Sequence, residues 1–155
     1  MRDVTDLADR SEIAELRVEF TDAAMMNDHE RLGSLFTPDG VLRIPAAAIE
    51  AVGPAQVSAL GRRRAETAGC FVQNTHPGKI EIDGDTASGR AYVYELFQLR
   101  DGASHVNHAI YHDRYRRTAD GWRISATGYQ RTYEVNLSTE SITNFKVKPG
   151  AALNI

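Results

Sequence analysis

Thr86-Ala-Ser-Gly-Arg-Ala-Tyr-Val-Tyr-Glu-Leu-Phe-Gln-Leu-Arg100 is followed at once by Asp101-Gly102 and then by the run Ser104–Thr118. The first run is rich in Tyr, Val and Phe, side chains that suit a pleated, half-buried surface. Asp-Gly supplies the positive φ that a tight hairpin demands. Two long strands folded back on each other are expected here. The same punctuation recurs on either side. Asp83-Gly84-Asp85 joins short β segments at Phe71–Thr75 and Lys79–Asp83 to the first long strand. Ala119-Asp-Gly121 joins the second to a last strand running from Trp122 to about Tyr133. Three long consecutive strands linked by Asp-Gly turns make an antiparallel meander.

Upstream of the meander the period changes. From Thr5 to about Asn27 the apolar residues Ile13, Leu16, Phe20, Ala23 and Ala24 recur at the spacing of one helix stripe. Asp28 is placed to cap a second, short helix that ends near Phe36. Thr37-Pro-Asp-Gly40 then reads as a turn, and Val41–Ile44 as a short strand. Gly53-Pro54 opens a third helix that runs to about Ala68 and closes at Gly69. Helices gathered first and strands gathered later indicate an α+β fold with helices packed on one face of a curved sheet.

The whole sequence bounds these elements to one domain, 1–155, since 155 residues with 42% hydrophobic and 25% charged side chains fit a single globular core. Its net charge of -3 argues against a nucleic-acid binder, which would carry a basic excess. Cys70 is the single cysteine, so neither an internal disulfide nor a multi-cysteine zinc site can form. The charged start is unlike a signal peptide, and no apolar run approaches the roughly 20 residues that span a bilayer. A soluble, cytoplasmic protein without membrane association is expected.

Several strings carry a resemblance when taken in order: Leu35-Phe-Thr-Pro-Asp-Gly40, Thr75-His76, Ile82-Asp-Gly-Asp-Thr-Ala-Ser-Gly-Arg90, Tyr111-His-Asp-Arg-Tyr-Arg-Arg-Thr118, Asp120-Gly-Trp-Arg-Ile124 and Thr127-Gly-Tyr-Gln-Arg131. Over a core of about 8–134 the chain resembles the SnoaL-like branch of the nuclear-transport-factor-two-like superfamily. That branch includes polyketide cyclases, scytalone dehydratase and bile-acid dehydratases. The resemblance implies a cone: a curved antiparallel sheet wrapped around the N-terminal helices, leaving a single deep apolar pocket. It also implies self-association, as a trimer or else a dimer, through the sheet and the tail 135–155.

Carried over residue by residue, the resemblance puts the pocket histidine at His76, an acidic pocket residue at Glu95 and an arginine at Arg131. The tyrosine of the first helix falls on Phe20, and the aspartate that pairs with the histidine falls on Met25. Both departures remove polar groups from the expected acid–base apparatus. Strand alternation puts Ala91, Val93, Glu95 and Phe97 on one face of the meander's first strand. A carboxylate on that apolar face is either buried or at a pocket wall, as an acid, a base or a partner of His76; the alternative is a Glu paired with an Arg. Asn107, Ala109 and Tyr111 share a face of the next strand that the resemblance makes pocket lining, with Tyr129 beyond it. Tyr111 could donate a proton where Phe20 cannot, or simply fill the core. Arg131 could stabilise developing negative charge or pair with Glu134. His76 could serve as a base near neutral pH or hold a turn.

No metal site is expected. His108 and His112 would stand about 13–14 Å apart along a strand, with His105 facing the other way. Arg62-Arg63-Arg64 reads as a solvated helix face. The resulting expectation is a cofactor-independent lyase, isomerase or cyclase acting on a hydrophobic cyclic small molecule of polyketide, steroid or terpenoid type. In it His76 is the base, Glu95 its partner, and Arg131 and Tyr111 the electrostatic stabilisers. Phe20, Met25, Ala91, Val93, Phe97, Asn107, Ala109 and Tyr129 would touch the ligand. The alternatives are a binding protein that kept the cone but lost the catalytic pair, and a pure interaction domain.

Overall fold

The structure is a computed structural model that describes residues 4–137. Helix α1 (Val4–Met26) is followed by α2 (His29–Ser34), strand β1 (Phe36–Ile44), a 3-10 turn at Pro45–Ala47, β2 (Ile49–Val52) and α3 (Gly53–Thr67). Four long strands complete it: β3 (Ala68–Asp83), β4 (Thr86–Leu99), β5 (Ser104–Thr118) and β6 (Gly121–Leu137). The fold is α+β, with one curved six-stranded sheet in the order β2-β1-β6-β5-β4-β3. Every neighbouring pair is antiparallel except β1 and β6.

The α1 stripe buries as its spacing dictates: Ile13, Leu16, Phe20, Ala23 and Ala24 all lie in the interior. They meet Trp122 and Ile124 of β6, both fully buried, and Val57 of α3. Asp28 caps α2 by accepting the Arg31 backbone N–H at 3.1 Å. Near the start of α1, Asp9 accepts both Nη groups of Arg117, at 2.8 and 2.6 Å, and the Trp122 indole N–H at 3.1 Å. Those donors hold its carboxyl down at about 2, below the usual 3.8.

Three strands depart from the sequence reading. Thr37-Pro-Asp-Gly40 is not a free turn but part of β1, which pairs with β6 at Phe36↔Ile124 and again at Val41↔Ala126. The extra residues bulge out of the ladder. Gly40 permits this, because a Cβ there would stand 2.8 Å from the Ile124 carbonyl oxygen. The two short segments expected before Asp83 are one strand, β3, whose register against β4 shifts between Pro77 and Ile80. At that bulge a Cβ on Gly78 would come within 2.5 Å of the Arg90 carbonyl oxygen. β6 runs on to Leu137, past its expected end near Tyr133. Residues 138–155, on which the expected trimer largely rests, lie outside the described residues.

Candidate functional site

The bulge in β3 decides which side chains reach the interior. From the hairpin at Gly84 the pairing begins Asp83↔Thr86 and proceeds to Ile80↔Gly89, with Ile80 and Ile82 packed on the core. Had it run on unbroken, His76 would oppose Val93, which is buried. One extra residue on β3 instead puts His76 opposite Tyr92, and both are exposed on the outer face. The same shift puts Gln73 opposite Glu95, and both are buried. His76 therefore does not line the cavity expected to hold it, and Gln73 takes an inward position that the sequence reading did not assign.

The cavity has a volume of about 340 Å³. It is enclosed by Phe20 and Ala24 of α1, Val57 and Leu60 of α3, and Leu42 and Ile44 of β1, facing the sheet residues Phe71 and Phe97. Its polar groups are clustered. Glu95, 8% exposed, accepts hydrogen bonds from Gln73 Nε2 at 2.8 Å, Asn107 Nδ2 at 3.3 Å and Tyr129 Oη at 3.3 Å. Gln73 Nε2 also donates to Tyr111 Oη at 3.1 Å. Glu95, Gln73, Asn107, Tyr111 and Tyr129 border one space, and Arg131 reaches it too while pairing with Glu134. Burial raises the Tyr111 and Tyr129 phenols above their ordinary range, with the Glu95 carboxylate adding to the effect. Both phenols remain proton donors at neutral pH. The amide oxygens of Gln73 and Asn107 are buried without a hydrogen-bond partner.

Behind Tyr111 stands a second group of polar residues. Arg17 of α1 is buried and pairs with Asp113 at 2.5 Å. Asp113 also accepts from Thr127 Oγ1 at 2.6 Å and Tyr115 Oη at 2.8 Å. The Arg17 guanidinium lies 4.1 Å from the Tyr111 ring centroid and 4.5 Å from that of Phe20. Tyr111 is thus held by a cation on its ring and an amide on its hydroxyl.

Of the residues expected at the site, Glu95, Arg131, Tyr111, Phe20, Phe97, Asn107 and Tyr129 meet around this cavity. The rest do not. Met25 lies outside the cavity, where its sulfur accepts the Gln73 backbone N–H at 3.1 Å. It lines a separate hollow between α1 and β3, together with Ala91. Gln73 borders both the cavity and this second hollow, which is lined partly by exposed residues. Val93 and Ala109 are buried in the core instead of lining the cavity. Arg64, read as part of a solvated face, turns inward: it borders the cavity and its Nη1 is buried. Gln73 could have been found only by locating the bulge. Arg17 was legible, since it falls on the apolar stripe between Ile13 and Phe20.

Among the described residues no group of three or more His, Cys, Asp or Glu side chains is placed to hold a metal ion. His108 lies between Tyr94 and Tyr133, while His112 contacts Gln130 at 2.7 Å and His105 stacks on Phe97. No helix among the described residues is long and apolar enough to cross a membrane.

Comparison with known proteins gives a consistent picture. The family described as the SnoaL-like domain matches residues 5–127. An uncharacterized protein of Mycobacterium tuberculosis (strain ATCC 25618 / H37Rv), Rv2910c, is 29% identical over 130 residues, which is 80% of this chain and 86% of that protein. The crystal structure of a hexachlorocyclohexane dehydrochlorinase, LinA type 2, superposes with a TM-score of 0.85 at 20% identity, covering 94% of this chain and 100% of that one. LinA-type3 from Novosphingobium barchaimii LL02 gives 0.84 at 21% identity, again over 94% and 100%.

Proposed function

Because the chain belongs to the SnoaL-like domain family and closes an apolar cavity around one buried carboxylate, we propose that it is a cofactor-independent lyase, isomerase or cyclase. Its substrate is a hydrophobic cyclic small molecule, of polyketide, steroid or terpenoid type, from which Glu95 removes a proton. The observation that carries this reading is the way Glu95 is held. A carboxylate offers about four acceptor positions. Three are occupied by Gln73, Asn107 and Tyr129, which fix the group and leave one position for a substrate C–H. The apolar walls keep water away, which strengthens electrostatic interactions inside.

As the proton leaves, charge develops on the substrate's carbonyl or leaving group. Tyr111 is a donor held nearby, whereas the Tyr129 proton is engaged on Glu95. Gln73 occupies a lone pair of the Tyr111 oxygen and leaves its proton free for that developing charge. This moves the base from His76 to Glu95. The dehydrochlorinases that share the fold are named for eliminating hydrogen chloride from an apolar ring, which is compatible chemistry.

The test uses 2-tetralone, a bicyclic apolar ketone with an acidic α C–H. Its exchange for deuterium in D2O, followed by proton NMR, should run above the buffer rate with the unmodified protein. Glu95→Gln should lower that excess roughly 100-fold or more, the range lost with a general base. His76→Ala should leave it unchanged. Exchange undiminished in Glu95→Gln would overturn the assignment.

A binding protein is the second reading. It is favoured by a specific observation: among the described residues no histidine borders the cavity. Saturable tetralone binding without exchange above buffer would select it.

A further inference from the structure

The cavity has a second polar end, and it is cationic. Arg64 lies in the last turn of α3 and reaches across to the end of α1. There its Nη2 donates to the Ala24 carbonyl oxygen at 2.6 Å and to Asn27 Oδ1 at 3.0 Å. Its guanidinium lies over Phe71, with the carbon 4.0 Å from the ring centroid. The group is thus fixed on one edge and one face. Its other terminal nitrogen, Nη1, is buried and has no hydrogen-bond partner, and the residue borders the cavity.

The surrounding charges leave this cation unmatched. Among the described residues no carboxylate lies within ion-pair distance of Arg64. The other arginines at the cavity differ: Arg131 is paired with Glu134, and Arg63 is exposed and solvated at the mouth. Burial weakens the hold of Arg64 on its proton, with only partial compensation from Tyr111 and Glu95. A half-buried guanidinium with one buried nitrogen unpartnered and no anion carries a desolvation cost. A ligand oxygen that carries negative charge would complete it with a charge-assisted hydrogen bond.

We infer that Arg64 is a specificity-determining residue, and that the cavity selects amphipathic organic anions: an apolar ring system lodged among Phe20, Phe71 and Phe97, with an acidic oxygen group on Arg64 Nη1. A cavity of about 340 Å³ lies within the range of small-molecule sites. The inference rests on this cavity being the ligand site proposed above, but not on Glu95 acting as a base.

Matched probes of equal ring size test it: 2-naphthoate and its uncharged methyl ester, titrated by naphthyl fluorescence at pH 7.5 in low salt. The unmodified protein should bind the carboxylate at least about tenfold more tightly than the ester, as one charge-assisted hydrogen bond predicts. Arg64→Gln should abolish that preference while leaving ester binding in place, and Arg62→Gln should keep it. Arg64→Lys, which retains a cation without the planar fork, should preserve part of it and stands in if Arg64→Gln fails to fold. Ester binding equal to that of the carboxylate in the unmodified protein, or no binding of either, overturns the inference. So does a preference that survives Arg64→Gln. Absence of tetralone exchange above buffer in the unmodified protein, with the naphthoate preference intact, would remove Glu95 as base and leave the anion site standing.

Discussion

Two guanidinium groups turn toward the interior of this fold, 47 residues apart in the chain, Arg17 buried and Arg64 half-buried, and they are treated in opposite ways. Arg17 is given an anion: Asp113 at 2.5 Å, itself held by Thr127 and Tyr115. Arg64 is given only neutral partners, a backbone carbonyl, an amide oxygen and the face of Phe71. The first cation is neutralised within the chain, although its Nε and Nη1 have no hydrogen-bond partner, and it fastens α1 to the sheet behind Tyr111. The second has no ion-pair partner among the described residues and borders the cavity. A buried charge that is neutralised in place builds structure, whereas one that is positioned but not neutralised equips a site.

The sharpest way to break this contrast is to remove one half of the closed pair. Asp113→Asn strands the Arg17 cation in the core and should cost about 3–5 kcal/mol in denaturant unfolding. Replacing both partners, as Arg17→Met with Asp113→Leu, should recover most of that loss, because no unpaired charge is left behind. Arg64→Gln should cost much less, about 1 kcal/mol, since the hydrogen bonds it loses are partly offset by removing an unmatched cation. Equal costs for Asp113→Asn and Arg64→Gln would erase the distinction.

Asp9 and Arg117 supply an intermediate, partly exposed case whose signature is pH. The Asp9 carboxyl titrates at about 2 in the fold against 3.8 ordinarily. It therefore contributes stability above pH 3.8 that is lost as pH falls through about 2. Melting temperatures recorded between pH 7 and 2 should fall in acid for the unmodified chain and follow a flatter acid limb in Asp9→Asn. Identical limbs would show that this pair contributes nothing to acid sensitivity.

The fold was largely legible because its signals are local. One apolar stripe marks α1, Asp28 marks a cap, and three Asp-Gly turns mark the meander. The parallel pairing of β1 with β6 was not legible, since no local residue pattern encodes which distant strand becomes a neighbour. Strand alternation put Glu95, Phe97, Asn107 and Tyr111 on the face that borders the cavity, because β4 and β5 pair without a break across those positions. It failed on β3. Alternation carries information only as far as the next bulge, and Pro77-Gly78-Lys79 announces one without saying which side it favours. Arg64 was misread for another reason: three consecutive arginines on a helix point in three directions, so a run of charge is not a face.

The bulge at Gly78 sets the phase of β3, much as a single inserted tooth would offset a zip. The residues after it and those before it alternate out of step, and each half is regular on its own terms. The imidazole of His76 and the amide of Gln73, three positions apart, face opposite sides of the sheet by alternation, and the bulge decides which of them faces inward. Their assignment follows from one residue's worth of backbone, not from the chemistry of either side chain. A single-residue deletion at that point would reverse the deal, presenting His76 inward beside Glu95's strand and sending Gln73 to the surface. In a fold whose interior chemistry depends on a few polar groups, the length of a strand is therefore as consequential as its composition.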